Sequence, residues 1–301
     1  MLKHYKRKLF DRYDGWRVKY VDAVFAVIPF IMRTRLDAQN SVTEDVNMDQ
    51  LGAFIRAHKQ DIPGLSTMHV IMAAFVRVLS QRPYLNRFVV WNKIYARNSI
   101  TISLMVKRVM ADDGEETLVK TEFDPTDTLS DVVRKLDAAI IASKPTGKTN
   151  EMDKVARWFR LIPAWLVRMV ITLIRFTDNV GIMPRFIANA SPFHCSVFVT
   201  NMASLRCKPI YHHLYEFGTC SLFCAIGRPE HTVVTDGQTI KSQRSIGLKF
   251  VTDERVADGY YYASSMRMLY SLLNNPERLL TPPETVVADN GVGRPRADLD
   301  Q

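Results

Sequence analysis

The sequence predicts a mixed α/β fold, and three observations carry that expectation. Runs rich in β-branched residues, such as residues 98 to 106 (NSITISLMV) and 194 to 200 (HCSVFVT), fit a pleated, half-buried surface. Between them lie stretches whose apolar residues recur at helical spacing and would form one face of a helix. A hairpin signal, Asp236-Gly237 within residues 231 to 242 (HTVVTDGQTIKS), supplies the positive φ that a tight turn requires.

In chain order, residues 33 to 46 (RTRLDAQNSVTEDV) read as extended, and residues 48 to 60 (MDQLGAFIRAHKQ) as a helix with Leu51, Phe54 and Ile55 on one side. Residues 61 to 66 (DIPGLS) break it. From Thr67 to Gln81 the stripe Val70, Ile71, Ala74, Phe75, Val78 and Leu79 predicts a second helix, which Pro83 ends. The strand at 98 to 106 and an amphipathic helix over 130 to 144 follow. Residues 194 to 200, 219 to 226 and 244 to 251 have strand composition, and the final helix, 259 to 275, stops at Pro276. The tail after Pro282, residues 283 to 301, is expected to be loosely ordered. With no internal repeat and no long low-complexity linker, one domain over residues 1 to 282 is the simplest organisation.

At 301 residues and 47% hydrophobic content the chain can bury a substantial core. The N-terminal residues 1 to 20 mix basic, acidic and aromatic side chains where a signal peptide needs an apolar stretch, so a soluble, cytoplasmic protein is expected. Cys195, Cys207, Cys220 and Cys224 form no CxxC pair and read as free core thiols, with no metal site. The net charge of +9 suits nucleic acid, an anionic membrane surface or a phosphate-rich cofactor such as CoA. Because the basic residues are spread rather than clustered with aromatics, nucleic acid is not expected as a partner.

Residues 155 to 176 (VARWFRLIPAWLVRMVITLIRF) are strongly apolar, yet Arg157, Arg160, Arg168 and Arg175 interrupt them and Pro163 breaks the helical pattern. A spanning helix would put Arg168 near the hydrocarbon centre, which excludes that reading. Two readings remain: a helical insertion, within residues 145 to 190, packed on the body of the domain, or an interfacial helix that contacts a membrane or covers an acyl chain.

In the C-terminal third a strand (residues 244 to 251), the motif TDERVADG and a helix follow in succession. This order resembles the signature of dihydrolipoyl acyltransferase catalytic domains and chloramphenicol acetyltransferase, in which a strand delivers His-x-x-x-Asp-Gly before the last long helix. The matching hexapeptide is Glu254-Arg255-Val256-Ala257-Asp258-Gly259: aspartate and glycine are kept, and glutamate stands in place of histidine. RPYLNRF (82 to 88) resembles the family's Pro-x-Leu-Asn block, and ITISLMV (100 to 106) the strand after it. SVFVTNMAS (196 to 204) resembles the Ser-Asn strand end that faces the histidine, CSLFCAIGRPE (220 to 230) a later strand, and NPERLL (275 to 280) the family's ending. The resemblance spans residues 30 to 282, with 145 to 190 unmatched. It implies a chloramphenicol-acetyltransferase-like two-layer α+β sandwich, a mixed sheet with flanking helices. It also implies a homotrimer with active sites in channels between subunits, where CoA enters one end and the acyl acceptor the other.

Acyl transfer needs a base, an oxyanion donor and a channel that excludes water. By resemblance Thr200 matches the hydroxyl residue, and Glu254 the base. An unperturbed glutamate, near 4.3 against about 6.5 for histidine, is the weaker base by about 3 kcal/mol, a deficit that burial can remove. Asp258 is implied to be architectural, holding the turn through an arginine partner. His212 or His213, after Pro209-Ile210, could supply an imidazole if that loop folds toward the channel. The sequence leaves two functions open. One is a CoA-dependent acyltransferase with an unknown acceptor; the other is a catalytically silent trimeric scaffold or acyl-CoA-binding protein, with peripheral membrane contact as a further feature of either.

Overall fold

The computed structural model describes residues 10 to 107, 116 to 143, 162 to 235 and 237 to 292. Its strands are β1 (Gly15–Arg17), β2 (Gln39–Asn47), β3 (Arg87–Val90), β4 (Lys93–Arg97), β5 (Ile100–Lys107), β6 (Glu116–Phe123), β7 (Val197–Asn201), β8 (Leu222–Thr235) and β9 (Ile240–Asp253). Six form a mixed sheet in the order β2-β9-β8-β7-β5-β6, with β7 parallel to both of its neighbours. Three form a small antiparallel sheet, β1-β4-β3.

The helices are α1 (Ala23–Ile31), α2 (Met48–His58), α3 (Thr67–Gln81), α4 (Leu129–Ser143), α5 (Ala164–Val180), α6 (Arg185–Ala190) and α7 (Gly259–Asn274). Alternation along the strands sorts side chains onto two faces. Leu104, Val197, Val199, Leu248 and Phe250 pack beneath α2, α3, α4 and α7, with Phe75 of α3 edge-on to Phe250 at 6.1 Å. Phe198, Phe223 and Val251 face the other way, with Cys195, Cys220 and Leu214. The main core therefore lies between sheet and helices, and a smaller aromatic cluster covers the opposite face.

This is the mixed sheet with flanking helices that the sequence predicts. The helices at 48, 67, 130 and 259 and the strands of the C-terminal half all form, and the extended stretch forms from Gln39 onward, residues 35 to 38 being a turn. Gly237 adopts φ +93°, and β8 and β9 pair antiparallel on either side of it; Asp236 itself lies outside the described residues. Two expectations are corrected, the loose tail and the burial of Cys207, whereas Pro163 breaks the helical pattern as expected: α5 begins only at Ala164, with Pro163 as its N-cap residue. Arg157 and Arg160 lie outside the described residues.

The segment after Pro282 is docked as far as Val292. Arg87 forms a two-pronged ion pair with Asp289 at 2.6 Å, Val287 N donates to Ser80 O, and Gly291 O accepts from Lys19 N and Tyr20 N. Only residues 293 to 301 of the expected tail lie outside the described residues. Cys195, Cys220 and Cys224 are buried, whereas Cys207 is exposed on the loop after β7. Among the described residues no helix is long and apolar enough to cross a membrane.

Candidate active site

β9 runs out at Asp253, and the motif turn occupies residues 254 to 258 before α7 begins. Two devices set this turn. Asp258 is the helix cap, its Oδ1 accepting from Tyr261 N at 2.7 Å, which satisfies one of the orphan donors of the first turn. Asp253 and Arg255 form an ion pair: Nε donates to Oδ1 at 2.7 Å and Nη2 to Oδ2 at 2.6 Å, with both side chains almost wholly buried. Arg255 Nη1 also reaches Met32 O at 3.1 Å, which ties the turn to the end of α1. The arginine lock that the resemblance assigned to Asp258 thus sits on Asp253, and among the described residues Asp258 acts as a cap.

Glu254 is half-buried. Its N–H donates to Ala38 O at 2.8 Å, and its Oε2 accepts from Asn40 Nδ2 at 2.7 Å. Asn40 is delivered by the β2–β9 register, in which it pairs with Thr252. Glu254 and Asp258 both line a cavity of about 280 Å³ with Phe25, Ile28, Leu85 and Leu222 among its apolar walls. Ser221, whose buried Oγ has no hydrogen-bond partner among the described residues, lines the same cavity. Tyr262 does too, and burial pushes its phenol up to about 12, so it stays protonated as a potential donor at neutral pH. Gly259 stands at the rim; a Cβ built on it would meet nothing within 4 Å, so the motif glycine is not forced by local crowding.

Thr200 is elsewhere. It lies near the end of β7, opposite Ala225 of β8, on the face that carries Phe198 and Phe223. His212 is on that same face, its ring stacked on Phe223 at 4.3 Å and 5°. Its segment can lie flat on the sheet because Pro209 crosses Gly227, where any Cβ would come within 2.2 Å of the proline ring. His213 is exposed and stacks on His212 at 4.8 Å. Thr200 and His212 therefore lie on the same face of the sheet, Glu254 and Asp258 line the same cavity, and neither Thr200 nor His212 lines that cavity. No histidine lines the Glu254 cavity. His212→Ala is expected to cost about 1–2 kcal/mol of stability through loss of its stacked face, read as a lower midpoint in urea unfolding.

Asn40, Ser221, Tyr262 and the Asp253–Arg255 pair were not anticipated from sequence. The flanking Asp253 and Arg255 carried a usable signal, two opposite charges at the end of an apolar strand. Asn40 and Ser221 carried none, since both reach the cavity through long-range pairing. Among the described residues no cluster of His, Cys, Asp and Glu could hold a metal ion.

No protein-family model matches this sequence, and no curated protein sequence matches it. Solved structures do. The chain is similar to a probable dihydrolipoamide acetyltransferase from Listeria monocytogenes, with a TM-score of 0.55 and 13% identity over 89% of this chain and 97% of that one. It is similar to the cubic core of a pyruvate dehydrogenase multienzyme complex at 0.54 and 12%, covering 92% of this chain and 95% of that one. It is also similar to the dihydrolipoamide acetyltransferase of Azotobacter vinelandii at 0.52 and 14%, covering 87% and 93%. The chain has the chloramphenicol-acetyltransferase-like fold shared by dihydrolipoamide acetyltransferase catalytic cores, as the sequence motifs implied.

Proposed function

We propose that this protein is a thioester-dependent acyltransferase that uses acyl-CoA and an unidentified hydroxyl or amine acceptor, working at a channel between subunits of a homotrimer. The observation that carries the reading is the separation of two half-sites. Glu254 faces one partly apolar cavity, Thr200 and His212 occupy a different face, and neither group is complete alone. Assembly would let the Glu254 turn of one protomer meet the Thr200 face of the next. The similar pyruvate dehydrogenase structure is a multienzyme-complex core. In the similar Azotobacter enzyme a serine, a histidine and an asparagine have been investigated for roles in the catalytic mechanism; its histidine and asparagine are four positions apart, the spacing of Glu254 and Asp258.

In this reading the Glu254 carboxylate takes the acceptor's proton as the acceptor attacks the thioester carbonyl. The Thr200 hydroxyl donates to the resulting oxyanion. Collapse breaks the C–S bond, and the CoA thiolate leaves with the proton returned from Glu254. Asn40 orients the carboxylate, while Ser221 or Tyr262 can position the acceptor.

Glu254→Gln keeps the hydrogen-bonding shape and removes the base, so acyl transfer from acetyl-CoA, followed as thiol release, is expected to fall about 100-fold. Unchanged turnover in this variant would end the proposal. A second reading, a silent acyl-CoA-binding scaffold, is favoured by the Asn40–Glu254 hydrogen bond, because a carboxylate oxygen already held by a side-chain amide at 2.7 Å is occupied structurally rather than free to meet an acceptor. Acyl-CoA binding by calorimetry with no thiol release from the wild-type chain would select it.

A further inference from the structure

Helix α5 is fixed at its C-terminal end and bare along its outer face. The fixing is done by Asp178, whose Oδ1 accepts from Arg12 Nη2 at 2.6 Å and whose Oδ2 accepts from His194 Nε2 at 3.0 Å, all three side chains being buried. The outer face is formed by Trp165, Met169, Leu173 and Phe176, between 54% and 69% exposed. At 3.6 residues per turn these four share one narrow face, and exposed Arg168 and Arg175 flank it on one side. Phe176 meets the ring of Trp91, itself 56% exposed, which extends the apolar ridge onto the β3–β4 turn.

A cavity of about 270 Å³ opens beside Trp91, and Arg33, Arg35, Arg175 and Arg255 all line it. Its two carboxylates are committed: Asp178 to Arg12 and His194, and Glu216 to the N–H groups of Arg35 and Leu36. Arg33 and Arg175 have no ion-pair partner among the described residues, and buried Arg35 keeps an Nε with no hydrogen-bond partner. Along residues 162 to 190 the one acidic side chain is the buried Asp178, so the exposed charge of this segment is wholly positive, and in the cavity the exposed Glu216 is outnumbered by the four arginines.

We infer that this face docks on an anionic phospholipid bilayer, with a headgroup phosphate in the arginine-lined cavity and the Trp165–Phe176 stripe in the interfacial layer. Anionic lipid neutralises the arginines as the apolar stripe is buried, and a two-fold contact of this face with itself would set arginine against arginine; a heterologous contact within a trimer is the alternative that the light-scattering arm below tests. Trp165 and Trp91 supply the amphipathic rings that favour the headgroup level. The inference stands apart from the acyl-transfer reading: of the residues that build the Glu254 turn only Arg255 borders this cavity, and the variants below leave it in place.

The test is cosedimentation of the full chain with vesicles of phosphatidylcholine alone or mixed with phosphatidylglycerol. Binding is expected only with the anionic mixture and is expected to weaken as salt is added. Arg33→Gln combined with Arg175→Gln should weaken it about 30-fold, two arginines near a charged surface being worth about 1 kcal/mol each. Leu173→Glu should abolish it with the circular dichroism spectrum unchanged. Absence of binding, or equal binding by Leu173→Glu, overturns the inference. So does a Leu173→Glu variant whose mass in light scattering drops, which would make the face a contact between copies of this chain. Thermal stabilisation by inorganic phosphate without any vesicle binding would reduce the cavity to a soluble-anion site and overturn it as well.

Discussion

Asp253→Ala is expected to destabilise the protein by about 3–5 kcal/mol, because it leaves the Arg255 guanidinium buried without its counter-charge. Side-chain exposures of 0% and 3% leave little solvent to screen the loss. Removing both charges should hurt less: Asp253→Asn combined with Arg255→Met creates no orphaned ion, so the double variant is expected to be more stable than Asp253→Ala. Urea unfolding of the two variants gives the comparison. A difference below about 1 kcal/mol between wild type and Asp253→Ala would mean that the pair is not what holds the turn.

Asp178→Ala is expected to cost a similar 3–5 kcal/mol, since Arg12, Tyr13 and His194 all converge on that carboxylate. It also carries a pH signature. Burial alone would raise this carboxyl, but the hydrogen bond from His194 and the charge of Arg12 hold it well below the usual carboxylate range. A depressed folded pKa stabilises the folded state above the unfolded carboxyl value, about 3.9. The contribution is lost as pH falls below that value and then through the lower folded one. Asp178→Asn should therefore flatten the acid limb of stability against pH below about pH 4, while the wild type loses stability steeply there. An identical acid limb in both proteins would show that other carboxylates dominate.

Local periodicity made most of the fold legible. α3, α7 and the strands from β7 onward announce themselves because each is a single uninterrupted pattern. The β3–β4 hairpin does not, for a specific reason: its turn places Trp91 and Asn92 at φ +47° and +57°, and tryptophan is not a residue one expects in a left-handed turn. α1 is hidden differently, as a short apolar run with Pro29 inside it and most of its face uncovered.

The site divides along the same line. Glu254, Asp258 and their turn are contiguous and were readable. The partners that decide how Glu254 behaves, Asn40 at 2.7 Å and the apolar walls from Phe25 and Ile28, come from more than two hundred residues away and leave no local trace. Thr200 was readable as a strand end, but β8 stands between its strand and β9, and the register sets it level with Lys249 rather than Glu254.

The uninterrupted nine-pair register of β2 on β9 constrains how this chain can vary. Losing one residue between Ser41 and Val46 would leave a ladder that still pairs, yet Asn40 would swing to the opposite side of the sheet and abandon Glu254. Length changes of this kind should be purged from β2 in descendants that keep the carboxylate in use, and should accumulate freely there once it is idle. The pattern of gaps in that one strand would therefore date the loss, or record the survival, of the chemistry.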